Sequence, residues 1–233
     1  MALTIQARAS VVLAGAALAV AVMPAAARSA TLSCARSGAT VLANSQGRVF
    51  RRGTVTSGET KGAALYYGCS FSTGHIQRLN RRGDFGINRI TASTIRLAGH
   101  FVGYAETEDQ ALAAVPFATV VDVRSGHATR NPQGSQAGDA KVEILGLVLT
   151  QRGTEAWIAS DCVRSTTVPE ECAEPLTNEF RVSISDATTG TGQFSERLVS
   201  HSAAIAPHSL ALASNSHAIY WTEAGAARTA AIH

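Results

Sequence analysis

The chain has 233 residues, 45% of them hydrophobic and 16% charged, with a formal net charge of +3 at pH 7. The charges are spread without runs, which excludes the clustered basic face of a nucleic-acid binder. Two short basic groups, Arg78 with Arg81-Arg82 and Arg48 with Arg51-Arg52, read as solvated turns rather than anion sites.

Met1 to Ala27 has the three parts of a secretory signal peptide. Arg8 supplies the positive start, Ala9 to Met23 is an apolar run broken only by Ser10, and Pro24-Ala25-Ala26-Ala27 supplies small residues for cleavage before Arg28. The run is about 15 residues, short of the roughly 20 that a spanning helix needs. A lipoprotein signal is disfavoured, because Thr31 stands where an aliphatic residue belongs and Cys34 lies well past the apolar run. The expectation is a secreted or cell-envelope protein with no membrane span after cleavage. Its mature charge is +2, the whole-chain +3 less Arg8.

The rest, 28–233, is expected to be one all-β domain of repeated hairpins. In chain order, strand Thr40–Ala43 turns through Asn44-Ser45-Gln46-Gly47 into Arg48–Phe50. Strand Thr94–Leu97 turns through Ala98-Gly99 into Phe101–Ala105, and Leu145–Leu149 turns through Gln151-Arg152-Gly153 into Glu155–Ala159. Strand Ser209–Ala213 turns through Ser214-Asn215-Ser216 into Ala218–Trp221. Each copy is an apolar strand, a short turn with residues that tolerate φ > 0, and a strand bearing an aromatic.

A second element follows in three copies: Tyr66–Ser70, Ala118–Asp122 and Val182–Asp186. Each runs into a turn of the form Asp/Ser-x-x-Ser/Thr-Gly, whose first side chain can cap its own backbone. His75–Leu79 and Phe194–Leu198 read as fourth strands. The sets span roughly 35–80, 87–131, 140–200 and 204–233. The last is short, with Ala227–Ile232 as its third strand. A fourth strand for it could come from Thr31–Cys34, closing a ring. A Cys34–Cys69 bridge would place that segment in the first set instead.

All four cysteines, Cys34, Cys69, Cys162 and Cys172, lie after the signal. An even count in an oxidising compartment reads as two disulfides. Proximity favours Cys34–Cys69 and Cys162–Cys172 among the three pairings. No C-x-x-C or H-x-x-x-H pattern accompanies them, which counts against zinc.

Little in the sequence points to catalysis. The seven histidines are scattered, and neither H-E-x-x-H nor G-x-S-x-G occurs. Glu106, Glu108 and Asp109 form one acidic cluster, read as a solvated loop after strand Phe101–Ala105 rather than a glycosidase pair. The most distinctive segment is the polar insert Asp161–Asn178, with Pro169, Pro175 and the Cys162/Cys172 staple. Its charged residues Asp161, Arg164, Glu170, Glu171 and Glu174 form a candidate binding loop, since a constrained loop binds at lower entropic cost. Trp157 and Trp221 hold equivalent hairpin positions and are expected in the core.

The stretches LAGHFVGYAETED…VVDVRSG (97–126) and LTQRGTEAWIASD…VSISDATTG (149–190) resemble blades of secreted bacterial β-propeller repeats of the quinoprotein or TolB kind. The layout over about 35–233 is similar to that of exported proteins of high-GC actinobacteria. The resemblance implies a small or incomplete β-propeller of about four blades, each an antiparallel meander of three to four strands. The chain departs from quinoprotein dehydrogenases in having too few sets, no vicinal cysteines and no calcium loop, so no cofactor is expected. The leading expectation is a monomeric, non-catalytic binding module for an extracellular protein or glycan. An extracellular hydrolase of glycans or peptides and a structural envelope component are the alternatives.

Overall fold

The computed structural model describes Cys34 and residues 38–58, 60–83, 86–109, 114–133, 142–162, 178–186 and 196–232. The segment 1–27, expected to be a signal peptide, lies outside them. The described residues form an all-β protein of antiparallel sheets. Among them, no helix is long and apolar enough to cross a membrane.

The strands pair in chain order, as alternating apolar residues and Gly/Asn turns dictate. The first sheet contains β1 (Ala39–Ala43), β2 (Gly47–Thr54), β3 (Ala64–Ser70) and β4 (Ile76–Arg78). A small hairpin of β5 (Arg82–Gly83) and β6 (Gly86–Ile87) follows, which the sequence reading did not anticipate. In the second sheet, β7 (Arg89–Ile90) and β8 (Arg96–Ala98) share one edge of β9 (Phe101–Asp109). Next come β10 (Ala114–Asp122) and β11 (Ala128–Pro132). The third sheet is β12 (Ile144–Leu149), β13 (Thr154–Cys162), β14 (Asn178–Asp186) and β15 (Arg197–Ser202). The fourth is β16 (Ala211–Leu212), β17 (Ala218–Glu223) and β18 (Ala226–Ala231).

The split edge of the second sheet has a local cause. A 3-10 turn over Ala92–Thr94 lifts the chain off β9 between β7 and β8. The Thr94 hydroxyl then stands in for the lost ladder, accepting the Ala105 N–H at 2.8 Å and donating to the Thr91 carbonyl at 2.7 Å. No buried backbone donor is left open there, as the cost of an orphan requires.

Each sheet stacks on its neighbour in sequence, and period-2 alternation sends successive side chains to opposite layers. Val102 and Tyr104 of β9 join Val49, Tyr66 and Leu79 between the first and second sheets. Ala105 and Ala118 meet Trp157 and Ala159 between the second and third. Ala156 and Ile158 meet Ile219 and Trp221 between the third and fourth. The first strands keep one side of the stack: β1 lies against β8, β8 against β12, and β12 against β16. The close fit of the first layer depends on Gly68, where a Cβ would collide with Cγ1 of Val123.

Phe50, Tyr104, Trp157 and Trp221, one from each hairpin's second strand, are all buried. Three of them point back at the preceding sheet. Phe50 has no preceding sheet among the described residues; it lies under the disulfide between Cys34 and Cys69, with Tyr67 and Phe71. Its ring stacks on Tyr67 at 5.4 Å. Cys34 therefore belongs with the first sheet, and the fourth sheet has three strands among the described residues. At the other end, Tyr220 on the outer face of the fourth sheet is 45% exposed. No hydrogen bond among the described residues joins the first sheet to the fourth.

The Asp-x-x-Ser-Gly turn forms as its sequence demands. Asp122 accepts the Arg124 N–H at 2.8 Å, the Gly126 N–H closes onto the Asp122 carbonyl at 2.8 Å, and Gly126 has φ +80. The basic groups differ from expectation: Arg48, Arg51 and Arg52 lie within β2 and Arg78 within β4, not on turns. Cys172 lies outside the described residues, and with it the second expected bridge.

The Cys34–Cys69 bond closes a sequence separation of 35 residues. Replacing both cysteines by serine is expected to lower unfolding free energy by roughly 3–4 kcal/mol on the chain-entropy scale, read from urea denaturation of oxidised wild type and variant. Equal midpoints would contradict the assigned weight of this bond.

Candidate functional site

Of the candidate binding loop, Asp161 is placed: it pairs with Glu179 across the β13–β14 ladder, which ends at Cys162 opposite Asn178. Arg164, Glu170, Glu171 and Glu174 lie outside the described residues.

The acidic cluster is not a solvated loop. β9 continues through it to Asp109, and Glu106 is 0% exposed. Glu106 shares a face with Val102 and Tyr104 and reaches the layer between the first and second sheets. There Arg130 of β11 binds both carboxylates, donating at 2.8 Å to Glu106 and at 2.8 Å to Glu108. Asn88 donates to Glu106 at 3.1 Å and Thr119 donates at 3.0 Å. The Arg130 guanidinium also lies 3.7 Å from the Phe117 ring centroid. A buried charge persists only when paired and hydrogen-bonded, and this one is fully engaged. Asp109 pairs separately with Arg89 at 2.6 Å at the exposed end of the strand.

A second buried carboxylate, Glu155, lies in the next layer. It shares a face of β13 with Trp157 and is 1% exposed. Asn131 of β11 donates to its Oε1 at 3.1 Å, and Ser185 donates to Asn131 at 3.3 Å. Glu155 Oε2, Gln133 Oε1, Trp157 Nε1 and Ser183 Oγ are buried with no protein partner among the described residues. Burial pushes the Glu155 carboxyl up to about 8, opposed by the Asn131 hydrogen bond and helped by the charge of Glu196. At neutral pH it is therefore a neutral acid. Glu106 and Glu155 occupy different layers on opposite sides of the second sheet, so they do not face a common pocket.

The exposed candidate is built from the four hairpin turns, which gather at one end of the stack. Asn44 caps its own turn by accepting the Gln46 and Gly47 N–H groups, and its Nδ2 donates to the Gly99 carbonyl of the second turn at 2.8 Å. Gln46 lies 3.3 Å from Nδ1 of His100. Burial lowers the His100 pKa against the pull of Asp122, with Arg124 lowering it further. The third turn adjoins the second, since a Cβ at Gly153 would strike the Phe101 ring. The third and fourth turns frame a cleft of about 250 Å³ lined by Thr150, Gln151, Arg152, Asn215, Ser216 and His217. Gly99, Gly153 and Ser216 take left-handed conformations, with φ +60, +87 and +58. Only in the fourth turn is that position filled by a residue with a side chain, at a strain of roughly 1 kcal/mol or more. The result is a hydroxyl on the cleft wall. No ion pair or side-chain hydrogen bond engages Arg152 or the His217 ring among the described residues.

The other histidines mostly serve as staples. His75 and His208 contact the carbonyls of Val123 and Leu145, each at 3.1 Å, and His201 meets Glu179 at 3.0 Å. Among the described residues, no group of three His, Cys, Asp or Glu side chains is arranged to hold a metal. No protein-family model and no curated protein sequence matches this chain.

The sequence reading missed Glu106 and Glu155 as buried groups and did not single out the turn cleft. Strand parity carried the first signal: each glutamate stands two residues from a core aromatic, Tyr104 or Trp157. For Glu155, the unfolded chain ionises near the ordinary 4.5 and the folded chain near 8. Between those values the fold holds a proton that the unfolded chain has released, so stability falls as pH rises and is level on either side. Glu155→Gln is expected to remove that slope, a difference of a few kcal/mol at pH 8.5, measured by denaturation from pH 4 to 9. Parallel pH profiles for the two proteins would refute the assignment.

Proposed function

We propose that the protein is a secreted, non-catalytic binding module on a small, open β-propeller scaffold, with its ligand site on the turn face. The ring-like order of neighbouring first strands, the sheet-on-sheet layers and the shared aromatic position support the blade reading. An open form fits the different ends of the stack, one capped by Cys34 and the other exposing Tyr220. The Cys34–Cys69 bond fits an oxidising compartment.

The observation that carries the binding reading is the cleft between the third and fourth turns. Ligand sites favour loops held by a rigid scaffold. This cleft offers two amides, a guanidinium, an imidazole and two hydroxyls, with no aromatic wall. That is a hydrogen-bonding set for a hydroxyl-rich ligand, and a glycan is the class it suits.

An array of bacterial and host glycans, probed with the mature chain, is the direct test. Binding should weaken about tenfold or more when Arg152 and His217 are both changed to Ala, at about 1.5–3 kcal/mol per charged hydrogen bond. Far-ultraviolet circular dichroism should remain that of the wild type. Array binding indifferent to both changes, capture of protein ligands only, or cleavage of a bound oligosaccharide would each overturn the proposal.

A further inference from the structure

A second groove lies between the first and second sheets, away from the turn cleft and sharing no lining residue with it. It holds about 380 Å³ and is lined by Gln77, Arg78, Leu79, Arg81, Tyr104, Val121, Gly126, His127 and Ala128. That volume is within the roughly 300–1,000 Å³ range of small-molecule sites. One wall is β4 and the residues after it; the other is the turn between β10 and β11. Both walls are fixed. Gln77 donates to the Gly126 carbonyl at 3.2 Å, and His75 contacts the Val123 carbonyl at 3.1 Å.

The lining is one-sided in charge. Among the described residues that line it, two arginines and a histidine are present and no carboxylate is. Glu106 and Glu108, which follow Tyr104 on β9, are already bound by Arg130 and Asn88. Arg78 is held in place by one hydrogen bond, from Nε to the Asn80 carbonyl at 2.9 Å, leaving its terminal NH₂ groups available. The Arg81 guanidinium and the His127 ring have no side-chain partner among the described residues. Exposed arginines are ordinarily free, but here two converge with an imidazole on a preformed concavity. The planar guanidinium fork matches tetrahedral oxyanions.

We propose that this groove binds the oxyanion of a phosphate or sulfate monoester. Arg81 and Arg78 supply the charge-assisted hydrogen bonds, and His127 stands on the facing wall. The groove is larger than the ion alone requires, so it also accommodates part of the molecule that carries the ester. The proposal is independent of the glycan reading of the turn cleft.

The test titrates the folded mature chain with inorganic phosphate and, separately, inorganic sulfate, following the His127 ring signals by NMR. A saturable shift is expected, weakened about tenfold in Arg81→Gln, at about 1.5–3 kcal/mol per charged hydrogen bond, and again in Arg78→Gln. Arg228→Gln, on β18 of the fourth sheet and lining neither cavity, should bind like wild type. Tighter binding of one anion assigns the ester class, and glucose 6-phosphate and glucose 6-sulfate then compete in the same order. A shift that does not saturate, or one weakened equally by Arg228→Gln, overturns the proposal. So does a shift unchanged by both groove variants.

Discussion

Covering both faces of the two middle sheets is the constraint on which the rest of the structure depends. A sheet with water on one face can place polar residues at every second position. The second and third sheets cannot, because each is packed on both sides. β10 shows the result: Val115 to Val121 are all buried. Any polar residue in such a strand enters a core layer and must find partners there. Thr119 does so through Glu106, and Glu106 through Arg130. The polar interior thus follows from the stacking and is not evidence of chemistry by itself.

The two buried carboxylates resolve this constraint in opposite ways. Glu106 is matched by a guanidinium, two hydrogen-bond donors and an adjacent aromatic face. Among the described residues, Glu155 is offered one amide donor and no cation, and it resolves the conflict by keeping its proton. Both sit in strands of similar sequence, two residues beyond or before a core aromatic. The difference lies in which side chain the neighbouring sheet presents: Arg130 on one face of β11, and Asn131 on the other. Adjacent residues of a single strand therefore supply the partners of buried carboxylates in two separate layers.

Much of the fold was legible because its signals are local. The hairpins follow from apolar runs bounded by Asn and Gly, and the Asp122 turn follows from its own side chain. What was not legible depends on distant partners. Glu106 and Glu108 read as a surface loop because nothing nearby in sequence announces Arg130. The interrupted edge at Ala92–Thr94 is stable only because Thr94 reaches a backbone group on β9. The groove beside Arg81 needs two sheets to form, and neither wall hints at the other. The turn cleft was partly visible: Gln151, Arg152, Asn215 and Ser216 read as turn residues, but their convergence required the stack.

Because the strands of each sheet pair with partners close by in the chain, each layer is completed by chain already made. A growing polypeptide can finish the first sheet before the second exists, and lay each later sheet against a surface that is waiting for it. Few of the pairings require a distant segment to return, and closing long loops is what slows β-proteins. The architecture is thus suited to folding in one direction, from the disulfide-capped end toward the bare one. Its stability should grow as a series of neighbour-to-neighbour increments, not in a single global step.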